Sequence, residues 1–395
     1  MTGISSLPVQ MGARLAPDFQ LRVNVRDITT SIRDRLISLT LTDNRGFEAD
    51  QLDIELDDAD GQLAMPARGA EVSLFLGWKG QALTGKGSFT VDEVEHHGAP
   101  DTMTIRARSA DFRGSLNSRR EVSYHDTTLG QIVSQIAARN KLEPMLADGF
   151  AGIAVAHLDQ TQETDAKFLT RLATLYGAVA AIKAGRLLFI RPGGGVTAGG
   201  KPIPQVTITR QDGDRHTFSI ADRGAYTGVS ASWLHTKDPK PKKVKLQRKK
   251  KPEIHYGFHH PEAKKKKVVK AKAPEARQGD YLAGSQDNVF TLTTVFSSQA
   301  SAMHAAKAKW EKLQRGVAEF SLTLARGRAD LYPETPVKVS GFKSVIDAQP
   351  WLISKVTHNL NDSGYTTQLE FEVLLSDVEY QLEGDKEESD RKDSQ

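Results

Sequence analysis

The sequence predicts an α+β protein, mainly β, in which two β-barrel domains flank a small α/β domain. Two observations lead to this prediction. Apolar residues alternate with a period of two near both ends of the 395-residue chain, and between these regions the spacing becomes helical. A chain of this length also exceeds one ordinary hydrophobic core, so we expect several domains.

The first β-barrel domain is predicted over residues 1–118. Turn-rich segments such as Asp57–Gly61 and Gly98–Asp101 separate its apolar runs. Alternation at these lengths indicates half-buried strands, and strands that return at such short intervals favour an antiparallel barrel or sandwich. The alternating residues are Leu39, Leu41, Leu52, Ile54, Leu56, Val72, Leu74, Leu76, Phe89, Val91, Val94, Met103 and Ile105.

The α/β domain is predicted over residues 119–192. Asp126 or Thr127 is expected to cap a first helix, and a second helix is expected between Thr164 and Gly177. A hairpin is predicted across Ala184–Gly185. The predicted inward residues are Leu129, Ile132, Val133, Ile136 and Ala137 in the first helix, and Phe168, Leu169, Leu172 and Leu175 in the second.

The second β-barrel domain is predicted over residues 193–377. It contains a helix at 298–315, which starts at Ser298 and ends before Gly316, and a basic insertion at 237–274. The last hairpin is predicted to turn at Asn361–Gly364, because the strand that follows has the cleanest alternation in the chain. Residues 378–395 are polar and charged, which predicts a disordered tail.

Composition excludes several classes of function. The chain has no cysteine, which excludes disulfides, cysteine-bearing zinc sites and thiol chemistry. The first 20 residues lack the pattern of a signal peptide, and no run of about 18 apolar residues occurs, so no membrane anchor is expected. No catalytic motif, cofactor site or metal site is predicted, and we do not expect an enzyme.

The basic insertion is the most distinctive feature of the composition. Residues 237–274 carry 15 Lys and Arg against three acidic residues, whereas the remainder carries 38 against 46. Three interpretations stay open: docking on an acidic protein surface, contact with nucleic acid assisted by Tyr256 and Phe258, or a solvated loop. The candidate partner-binding residues are Lys249, Lys250, Lys251, Lys264, Lys265, Lys266 and Lys267.

Three short motifs resemble ligand sites but fail on inspection. Gly80–Lys86 resembles a phosphate-binding loop, yet Gly87 stands where Ser or Thr is needed and both flanks are predicted strands. Asp58–Gly61 resembles a calcium loop but lacks two ligand positions. His255, His259 and His260 have helical spacing, but the surrounding lysines oppose a dication.

Several longer motifs together resemble the phage late control D family, the tail hub proteins of contractile phage tails and related bacteriocins. The likeness covers most of residues 20–376, without the basic insertion, and depends on the order and spacing of individually loose motifs. These motifs are Leu39–Asp43, Asp50–Asp58 with Gly61, Gly85–Glu93, Gln160–Ala173, and Val356–His358 with Gly364–Thr367.

The resemblance implies a tail-hub-like fold and a specific assembly. Such hubs form homotrimers in which each subunit contributes two β-barrels, so that a pseudo-sixfold ring joins the tail tube to the trimeric central spike. It therefore implies a virion location in the baseplate, after assembly in the bacterial host cytoplasm. The tail tube protein, the spike protein and the tape-measure protein are candidate partners. The alternative is a nucleic-acid-binding regulator that acts through the basic insertion.

Overall fold

The computed structural model describes residues 16–109, 115–183, 185–195, 197, 201–220, 226–235, 238–248, 288–375 and 380–382. The described strands are β1 (Pro17–Val23), β2 (Arg26–Asp27), β3 (Leu36–Asn44), β4 (Gln51–Asp57), β5 (Glu71–Trp78), β6 (Thr84–His97), β7 (Thr102–Ser109), β8 (Arg119–Thr128), β9 (Glu143–Leu146), β10 (Ala154–Thr164), β11 (Val179–Lys183), β12 (Arg186–Ile190), β13 (Val206–Thr209), β14 (Gly213–Ile220), β15 (Gly228–His235), β16 (Asp238–Arg248), β17 (Val289–Phe296), β18 (Ala318–Leu324), β19 (Pro336–Ser340), β20 (Trp351–Asn361), β21 (Gly364–Val373) and β22 (Tyr380–Leu382). The described helices are α1 (Thr29–Ile32), α2 (Leu129–Arg139), α3 (Asp165–Tyr176), α4 (Gln299–Arg315) and α5 (Ser344–Asp347), with short 3-10 turns at Arg33–Arg35, Ser115–Asn117 and Arg210–Asp212.

A single 13-stranded sheet contains strands from both ends of the chain. Its main path runs β14-β18-β21-β20-β3-β4-β7-β6-β5-β1-β2, and β19 joins β13 to β20. The residues predicted to alternate inward in β3–β7 are buried, except for the half-buried Val94, which packs against the same core. The prediction of a mainly β fold is therefore confirmed.

The two β regions are not two separate barrels. β20 pairs with β3 in antiparallel register from Lys355 opposite Asn44 to Asn361 opposite Ser38, so the regions share one hydrogen-bonded sheet. Within the described ranges, no strand pairing closes either region on itself. The predicted closure is missing because β3, a strand of the first region, uses one edge for β4 and the other for β20.

The small α/β region matches its predicted elements closely. α2 and α3 bury their apolar faces in one core, and β11 and β12 form the predicted hairpin. The cap of α2 is Thr128, one or two residues later than predicted, because Thr128 and Gln131 form a reciprocal capping box. α3 has the expected cap at Thr164 and ends at Gly177, whose left-handed backbone suits glycine.

A four-stranded sheet, ordered β17-β15-β16-β22, packs against helix α4. α4 has the predicted bounds and begins at the Ser298 cap, and its Ala302, Ala306 and Trp310 are buried against the sheet. Two members of this sheet were not predicted. β16 occupies the start of the segment read as a basic insertion, and β22 lies where the sequence predicts disorder.

Candidate functional site

The predicted partner-binding lysines, Lys249–Lys251 and Lys264–Lys267, lie outside the described residues, and so do His255, His259 and His260. The strand that leads to them is described. Lys243 and Lys245 of β16 lie opposite Ser232 and Ser230 of β15, whereas the intervening Val244 is buried beneath them. A basic strand face therefore leads directly into the lysine-rich segment.

A buried charge cluster joins β3, β6 and the α/β region. Lys183, at the end of β11, contacts Asp43 at 3.0 Å and also forms an ion pair with Asp50. Lys86 of β6 has a fully buried side chain, and its Nζ lies 4.0 Å from Asp43. We call Asp43, Asp50, Lys86 and Lys183 the first junction.

Lys86 is held chiefly by the loop that precedes β19. Its Nζ donates to the carbonyl oxygens of Ala329 at 3.3 Å and Leu331 at 3.2 Å, and lies 3.7 Å from the ring centroid of Tyr332. Burial lowers the pKa of Lys86 to about 8, although Asp43 opposes the shift. The lysine of the apparent phosphate-binding loop thus connects the two β regions.

The pKa values of Asp50 and Lys183 in the first junction are both raised, for different reasons. Burial and the neighbouring Asp43 raise the pKa of Asp50, and Lys183 offsets part of this rise. Burial disfavours the charged form of Lys183, but attraction to Asp43 and Asp50 is stronger than this effect, so the pKa of Lys183 is raised. The arrangement favours a charged lysine that bridges two strands.

A second junction, defined by Arg45, Arg315, Glu334 and Glu372, links three further parts of the fold. Arg45 follows β3 and contacts Glu372 of β21 at 2.6 Å, while also forming an ion pair with Glu334. Arg315, at the end of α4, lies 3.3 Å from the same Glu372. Burial raises the pKa of Glu334, partly offset by Arg45. Glu334 also accepts a hydrogen bond from the Gly193 amide at 2.8 Å.

The motif Gln160–Ala173 is built around one buried carboxylate. Asp165, at the start of α3, is fully buried and accepts hydrogen bonds from Gln160 at 2.9 Å and Asn140 at 2.8 Å. Arg139 of α2 lies 2.9 Å from it, and Arg120 of β8 lies 3.5 Å away. Asp165 therefore joins two helices and the β8–β10 ribbon, which gives this motif a structural role.

The motif at Val356–His358 with Gly364–Thr367 also forms a buried polar contact. His358 is fully buried, and its Nδ1 lies 3.0 Å from the Tyr365 hydroxyl and 3.1 Å from the Thr367 hydroxyl. Burial and the charge of Lys86 lower the pKa of His358 well below its usual value. Nδ1 makes both contacts, whereas Nε2 is buried without a hydrogen-bond partner among the described residues, so this part of the structure holds no group that would stabilise a second proton on the ring.

Two of the three motifs that resemble ligand sites, those at Gly80–Lys86 and Asp58–Gly61, have structural explanations. Gly80–Leu83 forms the turn between β5 and β6, as expected for a hairpin. The Asp58 carboxylate accepts a hydrogen bond from the Leu63 amide at 2.9 Å, which stabilises a turn. Among the described residues, no group of three or more His, Asp or Glu has the geometry to hold a metal ion.

A groove of about 590 Å³ separates the β5–β6 hairpin from the segment that follows β18. Among the residues that line the groove, the Trp78 indole donates to the Gly327 carbonyl oxygen at 2.9 Å, and the Arg326 guanidinium lies 5.1 Å from the centroid of a Trp78 ring. These contacts connect the same two β regions as the first junction.

No helix in the described part of the chain is long and apolar enough to cross a membrane.

Sequence reasoning identified the neighbourhoods of these contacts but not the contacts themselves. Asp43, Asp50 and Asp165 belong to the motifs that carry the family resemblance, and each is an acidic residue beside a strongly apolar run. Lys86 and Lys183 were not singled out as structural. The available signal was a charged residue within an alternating strand, since such residues are rarely buried unless paired.

Comparison with known proteins identifies relatives along almost the whole chain. The profile of the phage tail baseplate hub (GPD) family matches residues 34–364. The probable baseplate hub protein of Escherichia phage 186 is 64% identical over 388 residues, covering 97% of this chain and 100% of that protein. The corresponding protein of Escherichia phage P2 is 65% identical over 386 residues, with the same coverage.

A solved structure supports the fold at a much lower sequence identity. The 43 kDa tail protein of prophage MuSo2 from Shewanella oneidensis is 13% identical and superposes with a TM-score of 0.59. The match covers 90% of this chain and 96% of that protein. The shared arrangement of strands and helices therefore persists where the sequences have largely diverged.

Proposed function

This chain belongs to the phage tail baseplate hub family and is a structural component of the virion tail, and from this premise we propose that three copies form a ring. In this ring, which would belong to a contractile tail, each copy supplies two β regions in alternation, which gives pseudo-sixfold symmetry. One face would stack on the tail tube, and the other would receive the trimeric spike.

The proposal is supported chiefly by the two β regions that one continuous sheet holds together. The pairing of β3 with β20 fixes their relative position, and Lys86 adds buried contacts between them. A ring that must match a sixfold tube needs two such regions in a constant relationship within each copy. We propose residues 1–118, 119–192 and 193–377 as the three structural units.

Strand edges supply the means of association in this proposal. β14 and β2 end the main path of the large sheet, and β17 and β22 end the four-stranded sheet. An exposed strand edge is a template for pairing with another chain. Neighbouring copies in a ring would cover such edges.

We further propose that the lysine-rich segment binds an acidic surface of a partner protein. Lys243 and Lys245 form a basic face on β16, just before the lysine-rich segment, which supports this role. Lys also greatly outnumbers Arg in residues 237–274. Lysine suits diffuse attraction better than bidentate base recognition. The spike, the tube and the tape-measure protein are the candidate partners.

Charge-matched variants separate the partners of this segment. Replacing Lys264, Lys265, Lys266 and Lys267 with Gln is expected to weaken capture of the co-expressed acidic partner and to make the remaining capture less salt-dependent. The control replaces four exposed lysines elsewhere with Gln: Lys79, Lys201, Lys338 and Lys343. Equal capture by both variants would refute the proposal, and salt-dependent binding of duplex DNA by the unmodified chain alone would favour the nucleic-acid alternative.

Light scattering tests the oligomeric state directly. The 43.3 kDa chain, alone and co-expressed with the spike protein of the same phage, is expected to reach three copies per particle at least in the presence of the spike. A monomer in both samples contradicts the ring. We also propose that the chain has no hydrolase activity, and zymography on peptidoglycan is expected to give no cleared band.

A further inference from the structure

Two histidines face each other across the β8–β10 ribbon. His125 and His157 are direct cross-strand partners, and their Nδ1 atoms lie 3.1 Å apart. The ring centroids are 4.6 Å apart with an interplanar angle of 30°. Because the Nδ1 atoms are closer than the centroids, the rings converge at their Nδ1 edges.

The orientation of the His157 ring is set by a second cross-strand pair. The Nε2 of His157 lies 2.9 Å from Oδ2 of Asp159, and the Ser123 hydroxyl donates to Oδ1 of the same carboxylate at 2.6 Å. Ser123 and Asp159 are themselves cross-strand partners, two pairs along from the histidines and therefore on the same face of the ribbon. The hydrogen bond from Ser123 lowers the pKa of Asp159, which keeps the carboxylate ionised.

This arrangement selects one tautomer of His157. A carboxylate accepts hydrogen bonds only, so Nε2 carries the proton and Nδ1 keeps its lone pair. A carboxylate that accepts from the outer nitrogen of a histidine is also the usual support for a histidine that ligates a metal. His125 then donates its Nδ1 proton to His157, and moving that proton to its own Nε2 frees a second lone pair beside the first.

We propose that His125 and His157 form a bidentate site for a divalent transition metal ion of the Zn²⁺, Ni²⁺ or Cu²⁺ class, with both Nδ1 atoms as ligands and water completing the coordination. Metal–imidazole bonds of about 2.0–2.1 Å place two ligand nitrogens roughly 3–3.4 Å apart, which matches the observed separation. The described part of the chain offers no third ligand of suitable geometry.

The surroundings of this pair suit a cation. The side chain of His157 is 54% exposed, so an ion can enter from solvent, and the ionised Asp159 carboxylate lies 2.9 Å from its Nε2. The ribbon contains only two strands, and such a sheet is marginally stable by itself. An ion bound by one ligand from each strand would cross-link β8 and β10 and stabilise the ribbon.

The test is Zn²⁺ binding to the full-length chain without an affinity tag, measured by isothermal titration calorimetry. His255, His259 and His260 are first replaced with Asn, so that any Zn²⁺ bound by these three histidines does not add to the measured heat. The variant with these three substitutions, used as the background for the next ones, is expected to bind one Zn²⁺ per chain with a dissociation constant on the order of 10 μM. His125→Gln and His157→Gln are each expected to weaken binding at least about tenfold.

Two further variants separate ligation from a general structural effect. His97→Gln removes an exposed histidine from the end of β6 and should leave the affinity unchanged. Asp159→Asn, a change at a positioning residue, should weaken Zn²⁺ binding about tenfold while the melting temperature without metal stays the same. The site is refuted if the background binds no Zn²⁺ at about 1 mM. It is equally refuted if either histidine substitution leaves the affinity unchanged.

Discussion

Thr40 of β3 and Asn359 of β20 are direct cross-strand partners although 319 residues separate them, and the Thr40 hydroxyl donates to Oδ1 of Asn359 at 3.2 Å. This pair lies in the middle of the pairing that unites the two β regions. The first junction, the Trp78–Gly327 hydrogen bond and the second junction reinforce the same connection. We therefore expect the two β regions to respond together when any one of these contacts is removed.

Replacing Lys86 with Met tests the first junction. The methionine has a similar length but cannot donate to the carbonyl oxygens of Ala329 and Leu331, and it leaves two carboxylates with Lys183 as their remaining cation. Leaving buried hydrogen-bond acceptors without their donor typically costs about 1–3 kcal/mol. We expect the free energy of unfolding, measured in urea, to fall by about that amount.

The matched control for this change is Lys79→Met. Lys79 is exposed in the turn between β5 and β6. The free energy of unfolding of the Lys79→Met variant should therefore stay within about 0.5 kcal/mol of the wild-type value. Equal destabilisation by the two substitutions would show that the buried contacts of Lys86 contribute nothing specific.

The buried His358 predicts a loss of stability in mild acid. Burial lowers the pKa of His358 well below the value of about 6.5 for a free histidine, so below about pH 6.5 the unfolded chain binds a proton that the folded chain does not. Stability from this group is present above that pH and is lost as the pH falls, by up to about 1.4 kcal/mol per pH unit. We expect His358→Asn, which removes the titratable ring but keeps a polar side chain, to reduce the fall in melting temperature between pH 7 and pH 5.

The control for the pH dependence is His97→Asn, which changes a histidine that is 60% exposed. This variant should keep the wild-type dependence of melting temperature on pH. Parallel curves for wild type and His358→Asn would contradict the assignment of the acid sensitivity to His358.

Gly327 takes part in a contact between the two β regions. A Cβ at this position would come within 2.5 Å of ring atoms of Tyr365, and the Gly327 carbonyl oxygen accepts the Trp78 hydrogen bond. Gly327→Ala should therefore force the aromatic ring aside and lower the free energy of unfolding by about 1–3 kcal/mol. Urea unfolding followed by tryptophan fluorescence measures this change.

Gly152→Ala is the matched control for Gly327→Ala. Nothing lies within 4 Å of the Cβ that it would add, and the backbone at this position does not require glycine. Its free energy of unfolding should remain within about 0.5 kcal/mol of wild type. A loss as large as that of Gly327→Ala would mean that the clash with Tyr365 is not the cause.

The helices and most strands could be predicted because their signals are local. Thr164 and Gly177 stand immediately outside α3, and Ser298 stands immediately before α4, so side-chain and backbone preferences mark these ends directly. The Asn361–Gly364 turn was likewise visible from the turn residues and the alternation that follows it. β16 escaped prediction because lysines mask the apolar alternation of Val244 and Leu246.

The joining of the two β regions could not be predicted from the sequence. Nothing near Thr40 indicates a partner at Asn359, because period-two alternation specifies which face of a strand is buried but not which strand lies beside it. Lys86 was likewise interpreted through its glycine neighbours, whereas its role depends on carbonyl groups more than 240 residues away in the chain. Such contacts become visible only in the folded chain.

A cryo-electron microscopy reconstruction of the chain co-expressed with its spike protein tests the central claim most directly. The ring proposal predicts threefold symmetry, three copies of the chain, and six β regions around the axis, with the β3–β20 pairing intact in each copy. A particle that contains one copy, or a ring in which each copy contributes one β region, would contradict it.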